Sequence, residues 1–368
     1  MRFPEFSGEW EKYSLGEIGH TSIGLTYSPA DVVKEDGTIV LRSSNIQDGE
    51  IDYKDLVRVN KKIKDSLFTK KDDILICARN GSSRLIGKNA LISNVDAGHS
   101  YGAFMMVYRS EDNRFIRQLL CTKRYFAQVG ENLGARINQI TTSDMNSFEF
   151  FFPQSKEERN KIALFLRIID ERISTQKKII EKYESLIRGL YHSIFNNPSS
   201  ILQLREVVSV VKGKQVNGEE LLEEGKYYVM NGGTEPSGYL NEYNTPADTI
   251  SISEGGNSCG YVQYNKEPFW SGGHCYSLMP KSENICYRFL YHFLKYKEND
   301  IMALRIGSGL PNIQKKDLER FEVQLPSLER QREVTTLLDA ISAKLDLEKQ
   351  LHHIWQSQKQ YLLGSLFI

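Results

Sequence analysis

The chain has 368 residues, 40% apolar and 26% charged, which supports a packed core and excludes a disordered or fibrous protein. Lysine plus arginine and aspartate plus glutamate both number 47, so no overall field draws the chain onto a polyanion, and any such attraction must be local. No apolar run reaches the roughly 18 residues that a bilayer span needs, and the opening "MRFPEFSGEWEKYS" lacks the apolar stretch of a signal peptide. A cytoplasmic location without a membrane partner is expected. The length suits two domains rather than one.

From the N-terminus, short β-rich runs ("GTIVLRSSNI", "DILICA", "NALIS", "FMMVYRS") are punctuated by glycine, asparagine and serine, with no βαβ alternation. They predict a first mixed α/β domain over residues 1–153 with a largely antiparallel sheet. Between Lys54 and Lys88 ten basic residues face only Asp55, Asp65, Asp72 and Asp73, which reads either as a local positive strip or as a solvated loop face. The loops "RNGSSRLIGKN" (79–89) and "GHSYGAF" (98–104) gather small polar and aromatic residues. Such loops suit the reading of base edges, since glycine admits close approach and arginine and asparagine pair with guanine and adenine. Glycine-rich hairpin tips without a ligand have the same composition.

A long helix is predicted over 154–196. Ile162, Leu166, Ile169, Ile173, Gln176, Ile180, Tyr183, Ile187, Leu190 and Ile194 alternate in steps of four and three, a heptad seam made to lie along another helix. About 37 helical residues at roughly 1.5 Å each give a rod near 55 Å long. Asn196-Asn197-Pro198-Ser199-Ser200 breaks it, because Pro198 cannot continue a helix.

A second mixed domain follows over 197–326, with "YYVMNGG", "DTISISEG" and "GYVQYN" as strands and "MNGGTEPSGYLNEYN", "SEGGNSCGYVQY" and "FWSGGHCYS" as loops. A second long helix is predicted over 327–368. Val334, Leu338, Ile341 and Leu345 hold the register, and Glu348 takes the place of Gln176. Beyond it Leu351, Ile354, Trp355 and Leu362 share the stripe, so a local change of packing is expected there.

The second half repeats the first. Phe148-Glu149 and Pro153 match Phe321-Glu322 and Pro326, Ile140 and Asp144 match Ile313 and Asp317, and Ser193-Ile194-Phe195 matches Ser365-Leu366-Phe367. The beginnings match too: Leu15-Gly16-Glu17-Ile18 with Gly24 corresponds to Leu204-Arg205-Glu206-Val207 with Gly213, and "DILICARNG" (73–81) echoes "DTISISEGG" (248–256). Each copy is a variable globular part followed by a helix, in tandem. Antiparallel helices would put the two globular parts at opposite ends of a rod.

No catalytic machinery is evident. "NNPSS" is not the Asn-Pro-Pro-aromatic signature of an amino-methyltransferase, and "GSSRLIGKN" has the wrong spacing and ends in Asn89 where a phosphate loop carries Ser or Thr. His274 beside Cys275 and the pair His352-His353 lack further metal ligands nearby, so no metal site is expected. Cys77, Cys121, Cys259, Cys275 and Cys286 form no CxxC pair and are expected as reduced thiols, most of them buried. "EIDYK" (50–54) reads either as a strand-end charge pattern or as part of a nuclease cluster of Glu50, Asp52 and Lys54.

Taken together, the opening tryptophan and "LGEI", the turn carrying "EER" or "ERQ" before a long helix ending in "SIF" or "SLF", and the repetition of the whole resemble the specificity subunit of type I restriction-modification enzymes. The resemblance spans essentially the whole chain. One departure is "PQSKEER", which lacks the leucine that follows the proline in "PSLERQ". It implies an α+β fold of two tandem mixed α/β target-recognition domains, separated by an antiparallel coiled coil of two long helices. It implies a chain without cofactors that reads a bipartite duplex DNA and docks a pair of methyltransferase (M) subunits, in some complexes with restriction (R) subunits. Adenosylmethionine, ATP and magnesium would belong to those partners.

The expected DNA contacts are Arg42, Ser43, Asn45, Arg79, Asn80, Ser82, Arg84 and Lys88 in the first domain. In the second they are Lys212, Lys214, Asn231, Thr234, Asn257, Tyr261 and His274. Lysines would hold phosphates, and arginine and asparagine would read bases. Two alternatives remain at this stage: a coiled-coil scaffold without DNA specificity, and a stand-alone endonuclease built on Glu50, Asp52 and Lys54.

Overall fold

The computed structural model describes residues 2–133, 138–196, 200–283, 285–307 and 309–367. The chain forms two compact units, Met1–Gln176 with Leu351–Ile368 and Lys177–Gln350. Each unit therefore holds one globular domain and one stretch of each long helix. Of the expected break between copies, residues 197–199 lie outside the described residues.

The first unit contains, in order, β1 (Trp10–Ser14), β2 (His20–Ile23), β3 (Thr38–Leu41), β4 (Ile74–Cys77), β5 (Asn89–Leu91), β6 (Met105–Arg109), α1 (Asn113–Leu119), α2 (Lys123–Leu133), β7 (Glu149–Pro153) and the start of α3 (Lys156–Phe195). Strands β2, β6, β4 and β5 form an antiparallel sheet in that order. Every residue of β4 is buried, which accounts for its unbroken apolar run "ILIC". Strand β3 belongs to a second sheet, beside Ser100–Tyr101 and Val57–Val59. Strand β1 pairs with β7, tying the chain start to the strand that leads into α3.

The second unit repeats this plan with β8 (Ser200–Gln203), β9 (Val208–Lys212), β10 (Tyr227–Met230), β11 (Thr249–Ser253), β12 (Val262–Asn265), β13 (Cys275–Pro280), α4 (Tyr287–Tyr296), β14 (Glu322–Leu325) and the start of α5 (Leu328–Leu366). Its antiparallel sheet runs β9, β13, β11, β12, the same order, and β8 pairs with β14 as β1 pairs with β7. The matched landmarks have matched jobs. Leu15 and Leu204 are fully buried, and their amides donate to the carbonyls of Phe148 and Phe321 at 2.9 and 2.8 Å.

Gly24 and Gly213 sit where two backbone segments touch. A Cβ at Gly24 would lie 2.2 Å from the Tyr101 carbonyl oxygen, and one at Gly213 would lie 2.2 Å from that of Gly272. Gly213→Ala is therefore expected to cost the second unit about 2 kcal/mol through overpacking. Gly189→Ala, on an open face of α3, should stabilise by up to about 1 kcal/mol. Denaturant melts of the two variants should move in opposite directions.

The seam on α3 is as the periodicity predicts: all ten of its positions are buried or half-buried. In the first unit Ile162, Leu166 and Ile169 share a core with Leu362 and Leu366 of α5, and Lys359 pairs with Asp170. In the second unit Ile187, Leu190 and Ile194 pack with Val334 and Leu338, and Lys349 bonds Glu184 at 2.8 Å. In both units the early part of one helix meets the late part of the other, so the paired stretches run in opposite directions.

The expected change of packing on α5 does not occur. Leu351 and Ile354 are exposed, at 37% and 57%, while His352, Trp355, Lys359, Leu362 and Leu366 continue the steps of four and three without a break. The positions persist although the chemistry changes, and the pairing of Lys359 with Asp170 lets a cation hold a seam position.

Each domain is clamped to its own helix. The segment "RFIRQLLCT" (114–122) in and after α1 matches "RFLYHFLKY" (288–296) in α4, pairing Gln118 with His292. Gln118 donates to Asp170 at 3.1 Å. His292, fully buried, lies 2.8 Å from Asp339 through Nε2 and 3.0 Å from the Tyr191 hydroxyl through Nδ1. A neutral ring protonated on Nε2 satisfies both, donating to Asp339 and accepting from Tyr191. Arg288 also holds Asp339.

Burial pushes His292 below its ordinary pKa, against the pull of Asp339. Burial raises Asp339, but Arg288 and His292 outweigh it and hold the carboxyl below the usual range. With the folded imidazole depressed, its contribution to stability is full above the ordinary histidine value and is lost as pH falls toward the folded one. His292→Gln keeps a donor toward Asp339, as Gln118 does, and removes the titration. Between about pH 7 and pH 5.5 the parent should lose more stability than H292Q in denaturant melts, since this window spans the ordinary histidine pKa.

Candidate nucleic-acid interface

In the first domain, strand ends converge because backbone bonds draw them together. Gly24 donates to Met105 at 3.1 Å, Gly102 to Leu41 at 3.0 Å, and both Ala78 and Arg79 to Phe104 at 2.9 and 3.0 Å. Arg79, exposed, lies over the ring of Phe104, its guanidinium carbon 5.2 Å from the centroid, and Phe104 is itself 58% exposed. Asn80 bridges the two loops, donating to the Ser43 hydroxyl at 2.9 Å and accepting from the Ser82 amide at 3.0 Å. Arg79, Asn80, Ser43 and Ser82 thus form one cluster at the mouth of the sheet.

The remaining candidates of this domain stand apart. Arg42 begins at the same strand end but pairs with Asp55 at 2.7 Å. Asn45 is fully buried: its amide donates to the carbonyls of Asp52 and Asp55 and its oxygen accepts from the Arg42 amide, so it shapes the loop from inside. Arg84 is exposed on a short 3-10 turn. Lys88 is half-buried near Cys77, whose thiol burial pushes up to about 11 with Lys88 opposing. Lys54 is exposed, and its amide bonds Asp52 in a turn.

The second domain builds the same frame. Gly213 donates to Cys275 at 2.9 Å, Gly272 to Met230 at 2.8 Å, and Glu254 to His274 at 2.9 Å. Its centre is a carboxylate. Glu254 accepts from Lys212 at 2.6 Å and from the Tyr276 hydroxyl at 3.1 Å, and its second oxygen, buried and without a hydrogen bond, lies 3.7 Å from His274 Nδ1. Asn231 accepts from the His274 amide at 3.2 Å.

Lys212, Asn231 and His274 are therefore brought together. Lys214 is exposed beside them, its carbonyl accepting from the Trp270 indole at 3.0 Å. Thr234 and Asn257 are exposed on flanking loops. Tyr261 is half-buried under Lys295, 4.1 Å from its ring centroid.

Matching backbone bonds put Arg42 in the place of Asn231, Ala78 in that of Glu254, Arg79 in that of Gly255 and Phe104 in that of His274. Glu254 and Phe104 are the positions that sequence reading passes over. Their signals are the lone acid of "SEGG" and the aromatic that closes "GHSYGAF". Arginine and asparagine can donate to purine edges, and a carboxylate can accept from the cytosine amino group.

Among the described residues no cluster of three or more His, Cys, Asp or Glu is arranged to hold a metal ion, and no helix is long and apolar enough to cross a membrane. All five cysteines are free thiols, with Cys77, Cys259 and Cys275 buried.

Two mixed α/β domains, each followed by a long helix, define the class of tandem recognition proteins that the sequence resembles. The family model of the type I restriction modification DNA specificity domain matches twice, at residues 7–185 and 198–353. The chain belongs to that family. It is 29% identical over 233 residues to the type I specificity subunit S.MgeORF438P of Mycoplasma genitalium, a match spanning 59% of this chain and 61% of that protein. It is 23% identical over 392 residues to the specificity subunit of type I restriction enzyme StySPI of Salmonella potsdam, covering 94% and 84% of the two chains. Its fold is that of the crystallised S subunit of the type I system of M. genitalium, with a TM-score of 0.75 over 100% of this chain and 99% of that one at 22% identity.

Proposed function

We propose that this chain reads a split duplex DNA target, one half-site per domain, as the non-catalytic recognition subunit of a type I restriction-modification complex. One observation carries the reading: two domains share a backbone frame to the level of single hydrogen bonds, yet fill its matched positions with different chemistry, Ala78, Arg79 and Phe104 in one and Glu254, Gly255 and His274 in the other. A constant frame with exchanged side chains is what two different half-sites require. The two long helices serve as the spacer between domains and as the docking surface for methyltransferase subunits. Adenosylmethionine belongs to those subunits, and ATP and magnesium to restriction subunits where they join.

With a net charge of zero the chain alone should hold DNA weakly, and partner subunits supply further phosphate contacts. Selection from randomised duplexes by the chain together with its methyltransferase tests the reading. Recovery of a motif in two parts with an unselected gap supports it; recovery of no motif favours a scaffold, and cleavage by the chain alone favours a nuclease.

A further inference from the structure

The two copies differ where each domain helix meets the end of a long helix. In both, a matched pair of phenylalanines meets edge-on: Phe115 and Phe367 at 5.5 Å and 72°, Phe289 and Phe195 at 5.4 Å and 73°. In the second unit Tyr296 then stacks on Phe195, at 5.4 Å and 29°, and its hydroxyl reaches Asn196 at 3.1 Å. Tyr191 packs against the same ring.

The residues of the first unit at these two positions are Thr122 and Leu363, both smaller. A cavity of about 400 Å³ opens there, lined among others by Trp10, Thr122, Arg124, Phe151, Gly364 and Phe367. Its size is that of a side-chain or small-ligand site. The Arg124 guanidinium stacks on Phe151, 5.2 Å from the ring centroid, so one wall is cationic. Tyr361, at 66% exposed, stands on the rim, and Leu351 and Ile354 continue an exposed apolar line along the same helix. A small molecule would need the cavity alone; the apolar line beside it suits a protein chain.

We propose that this cavity is a socket for an aromatic side chain of a methyltransferase subunit, filling the place that Tyr296 fills from within in the other copy. The inference rests on the docking role of the helices and adds that docking is unequal: the first unit offers an aromatic socket and the second has closed its own. A ring seated beside Phe367 would stack as Tyr296 does on Phe195, and the cationic wall favours a carboxylate next to that ring in the partner's sequence.

Two variants close the socket from inside. Thr122→Tyr restores the residue type of the second copy. Because Thr122 also caps α2 through the Tyr125 amide, Gly364→Leu provides an independent closure at a position where a Cβ meets no atom within 4 Å. Titration calorimetry of full-length chains with the methyltransferase subunit, with thermal melts as the check on folding, reads the result. Both variants should stay folded and bind that subunit at least about tenfold more weakly at one of two sites, the loss of a buried aromatic anchor being worth that much. Folded variants that bind like the parent would overturn the socket while leaving the docking role intact. A parent chain that binds no methyltransferase subunit would overturn both.

Discussion

Leu166→Ala is expected to lower the unfolding free energy of the first unit by roughly 3 kcal/mol, the usual cost of emptying a fully buried leucine position. Leu166 is wholly inaccessible and belongs to a core that joins α3, the end of α5 and the sheet of the first domain. Its counterpart Leu338 is equally buried in the second unit, so Leu338→Ala should cost a similar amount there. Hydrogen exchange would show which amides lose protection in each variant. Loss confined to the mutated unit is the expected pattern. Leu164→Ala, on a half-exposed face of α3, should change stability by less than about 0.5 kcal/mol, as surface substitutions do.

Arg79→Ala is expected to relax recognition in one half of the target and leave the other half unchanged. A bidentate arginine contact discriminates by about 1–3 kcal/mol, which corresponds to a factor of roughly 5 to 150 at a single base pair. Arg79 is exposed and held over Phe104, so removing it disturbs little of the frame. Arg42→Ala should act differently, since Arg42 is paired with Asp55 and its loss leaves that carboxylate without its cation. Glu254→Gln should relax the half-site of the second domain, where a carboxylate acceptor becomes partly a donor. Competition binding with single-base variants of the selected duplex checks all three substitutions.

The parts of the molecule written in short-range pattern are legible in the sequence. The runs "ILIC", "TIVL" and "TISIS" are strands, and the α3 seam follows its period of 3.5 through Ile194. On α5 the same period is masked in the sequence, because His352 and Lys359 hold seam positions while Leu351 and Ile354 face outward. What makes Lys359 acceptable there is Asp170, 189 residues earlier in the chain, and no local window contains both.

The same limit governs the candidate interface. Its loops were legible from glycine, asparagine and aromatic clustering, but the state of each side chain depends on distant partners. Asn45 looks like a reader of adenine in sequence and is a buried brace in the fold, held by backbone carbonyls seven and ten residues on. Glu254 looks incidental and proves central, because Lys212, Tyr276 and His274 reach it from two other strands.

The claim on which the rest depends is that each domain reads its own half of the target. Methylome sequencing of a host carrying the parent chain with its methyltransferase, beside a host carrying the Glu254→Gln chain, tests it most directly. The account predicts methylation at a two-part motif in the first host, and in the second a motif altered in one part only, with its other part and the gap preserved. Simultaneous change in both parts, or methylation at an undivided motif, would contradict it.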